Sequence, residues 1–364
     1  MPRADTNTDS DGTGRTIPVL SRQVTRLYEM FWPPIDLVNM GKETRRMSVE
    51  EKKSFRASLS KDQKRLLIVL EKLLEEEPSL IEKVVRAPRE HAAALSTGQS
   101  NGRSEDMAKV AREMPTWEVM AWDPPLGPKP RRGLFHIQCA ELLSPIQYNW
   151  KDSQVQDDFC NMKLLAKPSQ FPRYLWVDNG EYYNPERPSE GLLRNEILIC
   201  AAYCLLFSPS SAKSMSASTT QVSGARGCSF KRSKGSIGLA KAYNLTKVTP
   251  AFIAYVAVVV RHSLTTETYF SEICGGFNYG DYYNQIREFL EAPKFASRSK
   301  VLLEWWNMRL FGSFNIGMQV VTEDDRDATL DALDAEVEGD PGLSGDEEPR
   351  LGEQEEDEDE SGDE

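Results

Sequence analysis

Histidine is scarce in this chain. Only His91, His136 and His262 occur in 364 residues, so any histidine metal centre or histidine-based triad must draw on these three. His136 and Cys139 stand three apart and can chelate from one helical turn, but no second ligand pair accompanies them. No metal and no cofactor is therefore expected. Cysteine is sparse too: Cys139, Cys160, Cys200, Cys204, Cys228 and Cys274 show no C-x-x-C spacing. That excludes the common zinc-ribbon and dithiol motifs and predicts free thiols in a reducing compartment. Cys200 and Cys204 share a helix face and read as small buried hydrophobes.

Long apolar runs are missing as well. The longest, residues 251–260, stops at Arg261 and is about half of what a membrane span requires, so no membrane partner is expected. The first 15 residues carry no hydrophobic segment, which predicts an intracellular protein without a secretory signal. Gly235 and Gly238, with Lys234 and Lys241, lack the spacing of a phosphate loop. No helix-turn-helix, zinc-finger or RNA-binding signature supports base readout. Acids are plentiful, but Glu75, Glu76 and Glu77 read as a solvated helix end. Asp157, Asp158, Glu196 and Glu304 read as surface acids, with nothing fixing a catalytic separation.

What the chain does have is a charge split. From residue 322 onward, 21 acids face two arginines, Arg326 and Arg350, a net of −19. The whole chain carries −12, so residues 1–321 carry +7, from 42 Lys and Arg against 35 Asp and Glu. A basic body thus bears its own polyanion. The positive charge falls in modest clusters: Lys42, Arg45 and Arg46; Lys129, Arg131 and Arg132; and Arg226, Lys231, Arg232, Lys234 and Lys241. The second and third clusters are the candidate nucleic-acid contacts, and residues 231–234 also resemble a nuclear-import signal. A flexible tail of this length reaches roughly 35 Å, far enough to compete with phosphates for such clusters.

Composition divides the chain into a disordered arm (1–19), a helical region (20–95), a linker with a short helix (96–113), a main domain (114–312) and an acidic disordered tail (313–364). The expected fold is mainly α: an irregular helical domain with a small β-hairpin. Val24, Leu27, Tyr28 and Phe31 predict an amphipathic helix over residues 21–32. Ser60 and Gln63 form a capping-box pattern ahead of Leu66, Leu70, Leu73 and Leu74. The small polar residues 96–105 read as the linker. Asn179-Gly180 between residues 174–177 and 181–183 gives the hairpin, since that pair suits a type I′ turn. Ser189 is the expected cap of a helix to residue 207, and the serine-rich stretch 208–227 reads as a mobile loop. Thr249-Pro250 starts a helix that is apolar on every side and hence central. Residues 282–290 form a shorter helix, and the last, 300–311, follows Ser297 or Ser299 and stops at Gly312. Leu193, Tyr255, Trp305 and Trp306 are the expected structural core.

The ordered blocks of the main domain resemble a fungal family, abundant in mushroom-forming basidiomycetes, known as a domain of unknown function. The blocks are Arg132-Gly133 with Phe135-His136, Leu143-Ser144-Pro145, Tyr183-Asn184-Pro185, Gly191-Leu192-Leu193-Arg194, the serine block after Phe207, Val248-Thr249-Pro250 and Leu303-Glu304-Trp305-Trp306-Asn307. Phe135 stands where the family usually has Asn, and Leu-Ser-Pro replaces Leu-Cys-Pro, which argues against a required thiol there. The resemblance implies no activity and no catalytic residue. Two functions stay open on this reading. One is a non-enzymatic interaction protein, nuclear and linked to nucleic acid or to basic proteins such as histones, with a modulating tail. The other is an enzyme with an aromatic-rich site in the main domain, for which a pocket lined by Arg194, Tyr255 and His262 would speak.

Overall fold

The computed structural model of the chain describes residues 15–220 and 238–312. They all fall in one compact unit that ends at Gly312. Among the described residues there are fourteen α-helices and one two-stranded antiparallel hairpin. No helix among them is long and apolar enough to cross a membrane.

Three helices make the centre. Helix α6 (Pro88–Glu113), helix α9 (Glu196–Leu206) and helix α12 (Pro250–Leu264) pack on one another. Helix α12 begins as its residues require: the Thr249 hydroxyl accepts from the Phe252 amide at 3.0 Å, and Pro250 occupies a position whose N–H would have no partner. Every residue from Ala251 to Leu264 is buried. Helix α13 (Tyr279–Glu291) lies against α12, and helix α14 (Ala296–Phe311) closes the body against α9 and α13, with Gly312 at its end in a positive-φ conformation. Helices α1 (Ile17–Leu27), α2 (Pro34–Thr44), α4 (Lys61–Glu76) and α5 (Leu80–Arg86) build a smaller core around Trp32, Leu37, Val69 and Leu73. The capping box of Ser60 and Gln63 starts α4.

Several local expectations give way to tertiary packing. The supposed linker is the middle of α6. Gly98 is there because α1 comes too close for a side chain: a Cβ on it would lie 2.7 Å from Pro18 Cα and 2.8 Å from Ser21 Cβ. Close packing thus offsets weak helix propensity. Helix α1 begins at Ile17, inside the expected arm, and ends at Leu27, short of Trp32. Half of the serine-rich stretch is helix α10 (Pro209–Thr220), packed on α9; residues 221–227 lie outside the described part. The cap of α9 is Asn195, not Ser189. Its Oδ1 accepts from the Ile197 amide at 3.1 Å, while its Nδ2 donates to Trp176 O at 2.7 Å. Neither Ser297 nor Ser299 caps α14; the buried Ser299 hydroxyl donates to Phe289 O at 3.0 Å.

The hairpin sits elsewhere. Asp178, Asn179 and Gly180 do take positive φ, but residues 173–180 form single-turn 3₁₀ segments and Trp176 bridges to Leu192 rather than to residues 181–183. Strand β1 (Ile273–Cys274) instead pairs with β2 (Phe277–Asn278) across Gly275 and Gly276, whose φ values of 56° and 78° fit a two-residue turn.

Candidate functional site: a cleft beside helix α6

A cleft of about 810 Å³ opens beside helix α6. One wall is the α6 face bearing Met107, Ala108, Ala111 and Arg112; the opposite wall is Leu126 to Lys129 with Arg132. His262, near the end of α12, and residues 268–270 complete it. The volume lies within the ~300–1,000 Å³ of ordinary ligand clefts.

The charge of this lining is one-sided. Arg112, Lys129 and Arg132 line it, and no Asp or Glu does so among the described residues. Arg132 is buried and donates to three backbone carbonyls: Gly127 O at 3.0 Å, Ser263 O at 2.8 Å and Ala111 O at 2.8 Å. Each guanidinium nitrogen thus has one carbonyl acceptor, and no carboxylate is among its hydrogen-bond partners in the described residues. The Lys129 ammonium donates to the Glu267 carbonyl oxygen. Burial, helped by Arg132 and opposed by the Glu267 charge, pushes Lys129 down to about 8. The Glu267 carboxylate is itself engaged, accepting from the Thr265 and Tyr279 hydroxyls at 2.6 Å each.

His262 is the other notable group. Its ring meets Phe270 edge to face at 5.4 Å, and its Nε2 lies 3.4 Å from Tyr269 O, while buried Nδ1 has no hydrogen-bond partner among the described residues. Burial first, and then Lys129, push His262 down to about 4. It is neutral at pH 7, so with Nε2 protonated Nδ1 presents a lone pair. Burial likewise pushes the Cys139 thiol up to about 12, which makes it a poor nucleophile. Ser104 and Thr268 line the cleft with no base at hydrogen-bond distance among the described residues.

The candidate contacts from the sequence are dispersed. Arg131 and Lys241 are exposed, and Lys129 is half-buried in the cleft wall. Arg132 is buried, its three carbonyl bonds holding the guanidinium in the cleft wall. Arg226, Lys231, Arg232 and Lys234 lie outside the described residues. Leu193, Tyr255 and Trp306 are fully buried, with the Trp306 indole donating to Leu193 O at 3.0 Å. Trp305 is partly buried and packs against the main core, with Arg194 over its ring at 5.6 Å and Arg309 at 5.2 Å. Arg194, Tyr255 and His262 form no common pocket, since Tyr255 is enclosed and Arg194 rests on Trp305. His136 caps helix α7 (Ile137–Leu143), its Nδ1 accepting from the Cys139 amide at 3.4 Å, so this pair has a structural explanation. Among the described residues no cluster of three or more His, Cys, Asp or Glu can hold a metal, and Cys139, Cys160, Cys200, Cys204 and Cys274 are free thiols.

The cleft residues Met107, Ala108 and Ala111 escaped the sequence reading because residues 96–113 read only as a linker with a short helix. Met107, Val110, Ala111 and Met114 do recur at helical spacing, and that was the available signal.

A profile of the family of unknown function DUF6698 matches residues 97–311. The chain belongs to that family. The DUF6698 match starts within α6 and ends with α14, so it takes in every residue that lines the cleft and leaves out α1, α2, α4 and α5. No curated protein and no solved structure matches the chain.

Proposed function

We propose that the chain is a non-enzymatic interaction protein whose helical body holds a ligand in the cleft beside α6. The observation that carries this reading is the cleft itself: a preformed, mostly apolar hollow with a few convergent polar groups and shifted titrations, inside the family-matched region. The absence of a nucleophile–base pair among its described residues weighs against the enzyme alternative. The test is fluorescence titration with anilinonaphthalene sulfonate. Wild type should bind one equivalent, and Ala108→Trp, which fills the cleft from an exposed helix position, should lose that binding. Equal fluorescence from both proteins counts against the reading.

A second reading rests on the charge split, +7 over residues 1–321 against −19 beyond them. On this reading the body makes weak contacts with nucleic acid or a nucleic-acid-bound partner in the nucleus, and the tail competes for them. A tail that binds basic proteins such as histones is its variant. Deleting residues 323–364 should raise DNA affinity in a mobility-shift series, with the difference shrinking as salt rises. Identical affinity at low salt would remove the idea. The ordered blocks between Arg132 and Gly312 further support a family spread among mushroom-forming fungi; finding the same blocks widely outside fungi would contradict that.

A further inference from the structure

We infer that the cleft takes a small amphipathic anion: an apolar body ending in a single negatively charged head. The inference rests on the binding reading above and adds the chemistry of the ligand. The apolar part of the argument is the lining by Met107, Ala108, Ala111, Leu126 and Phe270. Such a surface offers no hydrogen bonds to a polar molecule and favours hydrocarbon over water.

The charged part is the head site. Arg112, Lys129 and Arg132 all line one hollow, with no carboxylate among its described lining residues. Among the described residues Arg112 pairs only with its chain neighbour Glu113, at 2.9 Å. Arg132 has backbone carbonyls for all its hydrogen bonds, so its charge is held in place without a counter-ion. The charge that acts on Lys129 from the acid side is Glu267, whose carboxylate already accepts two hydroxyl hydrogen bonds. Two cations held close together at a partly buried site repel one another, and an anion between them relieves that repulsion. His262 supplies the second, independent sign of a ligand: a buried ring nitrogen without a partner in a residue that lines the same hollow. Because that imidazole is neutral it sets no net charge against an anion, and its lone pair can accept from a hydroxyl, such as the P–O–H of a monoprotonated phosphate head.

A carboxylate and a phosphate monoester share this chemistry, and the test separates them. Isothermal titration of the full chain with decanoate, decyl phosphate, decanol and decylammonium reads head and body independently. Decanoate or decyl phosphate should bind at one site at least about tenfold more tightly than decanol, the usual weight of a charge-assisted contact. Whichever of the two binds more tightly identifies the head. Decylammonium should bind worst. Lys129→Met should lower affinity for the anions by about tenfold and leave decanol unchanged. If that variant melts early, Arg112→Ala, altered at an exposed position, should show a smaller loss of the same kind. Equal binding of decanol and both anions, or anion binding unaffected in both charge variants, overturns the inference while leaving a binding cleft in place. No binding by any of the four overturns the binding reading as well.

Discussion

Asp106 is fully buried and accepts from Arg26 Nε at 2.6 Å, Arg26 Nη2 at 3.0 Å and the Tyr255 hydroxyl at 2.8 Å. One carboxylate thus ties α1, α6 and α12 together. Removing it leaves a buried guanidinium unpaired, so Asp106→Ala should lower unfolding free energy by ~3–5 kcal/mol in urea titrations. Arg26→Met with Asp106→Leu should cost less than either single change, because no charge is then stranded. A loss under about 1 kcal/mol for Asp106→Ala would mean that the pair is solvated, like an ordinary surface ion pair. His262 makes a second prediction at this scale. Its pKa falls from 6.5 to about 4 on folding, so between these values the unfolded chain binds more protons. Its contribution to stability is therefore complete above pH 6.5 and is lost as pH falls toward 4, by up to ~3 kcal/mol. The stability difference between pH 7 and pH 4.5 should be smaller in His262→Gln than in wild type. Equal differences would show that the ring is hydrated and not buried.

At the scale of elements, α6 is the helix on which the others depend. In an exposed helix Gly→Ala stabilises by ~1 kcal/mol. At Gly98 the sign should reverse, because the added methyl meets the backbone of Pro18 and must push α1 away. A lowered melting temperature for Gly98→Ala, with Gly127→Ala near neutral since its Cβ position is open, checks this. A raised melting temperature would place α1 farther off. The same helix shows what sequence could reveal. Local, self-contained signals were readable: the Ser60–Gln63 box, the Thr249-Pro250 start and the all-round apolarity of α12. Signals that depend on a distant partner were not. Gly98 and Gly102 spell flexibility until α1 supplies the surface that needs them small. Asn179-Gly180 correctly marks positive φ, but Asn195 and Leu192, further along the chain, decide what the turn connects to. Gly275-Gly276 carried the true hairpin signal over two-residue strands too short to show alternation.

At the scale of the whole molecule, three residues distant in sequence become one site. Met107, Lys129 and His262 come from α6, from a proline-rich turn and from the end of α12, so no motif joins them in the chain. Their convergence depends on the buried packing of α6 against α12, which the Asp106 and Arg132 contacts hold in register. The charge split, by contrast, is fully legible from composition, because charge needs no fold to be counted. The measurement that tests the account most directly is a methyl NMR titration of [¹³C-methyl]methionine-labelled full chain with decanoate. The Met107 methyl should shift and saturate near one equivalent, while Met162 and Met308, both exposed and outside the cleft, stay in place. An unmoved Met107, or equal shifts at Met162 and Met308, would contradict the cleft as the ligand site.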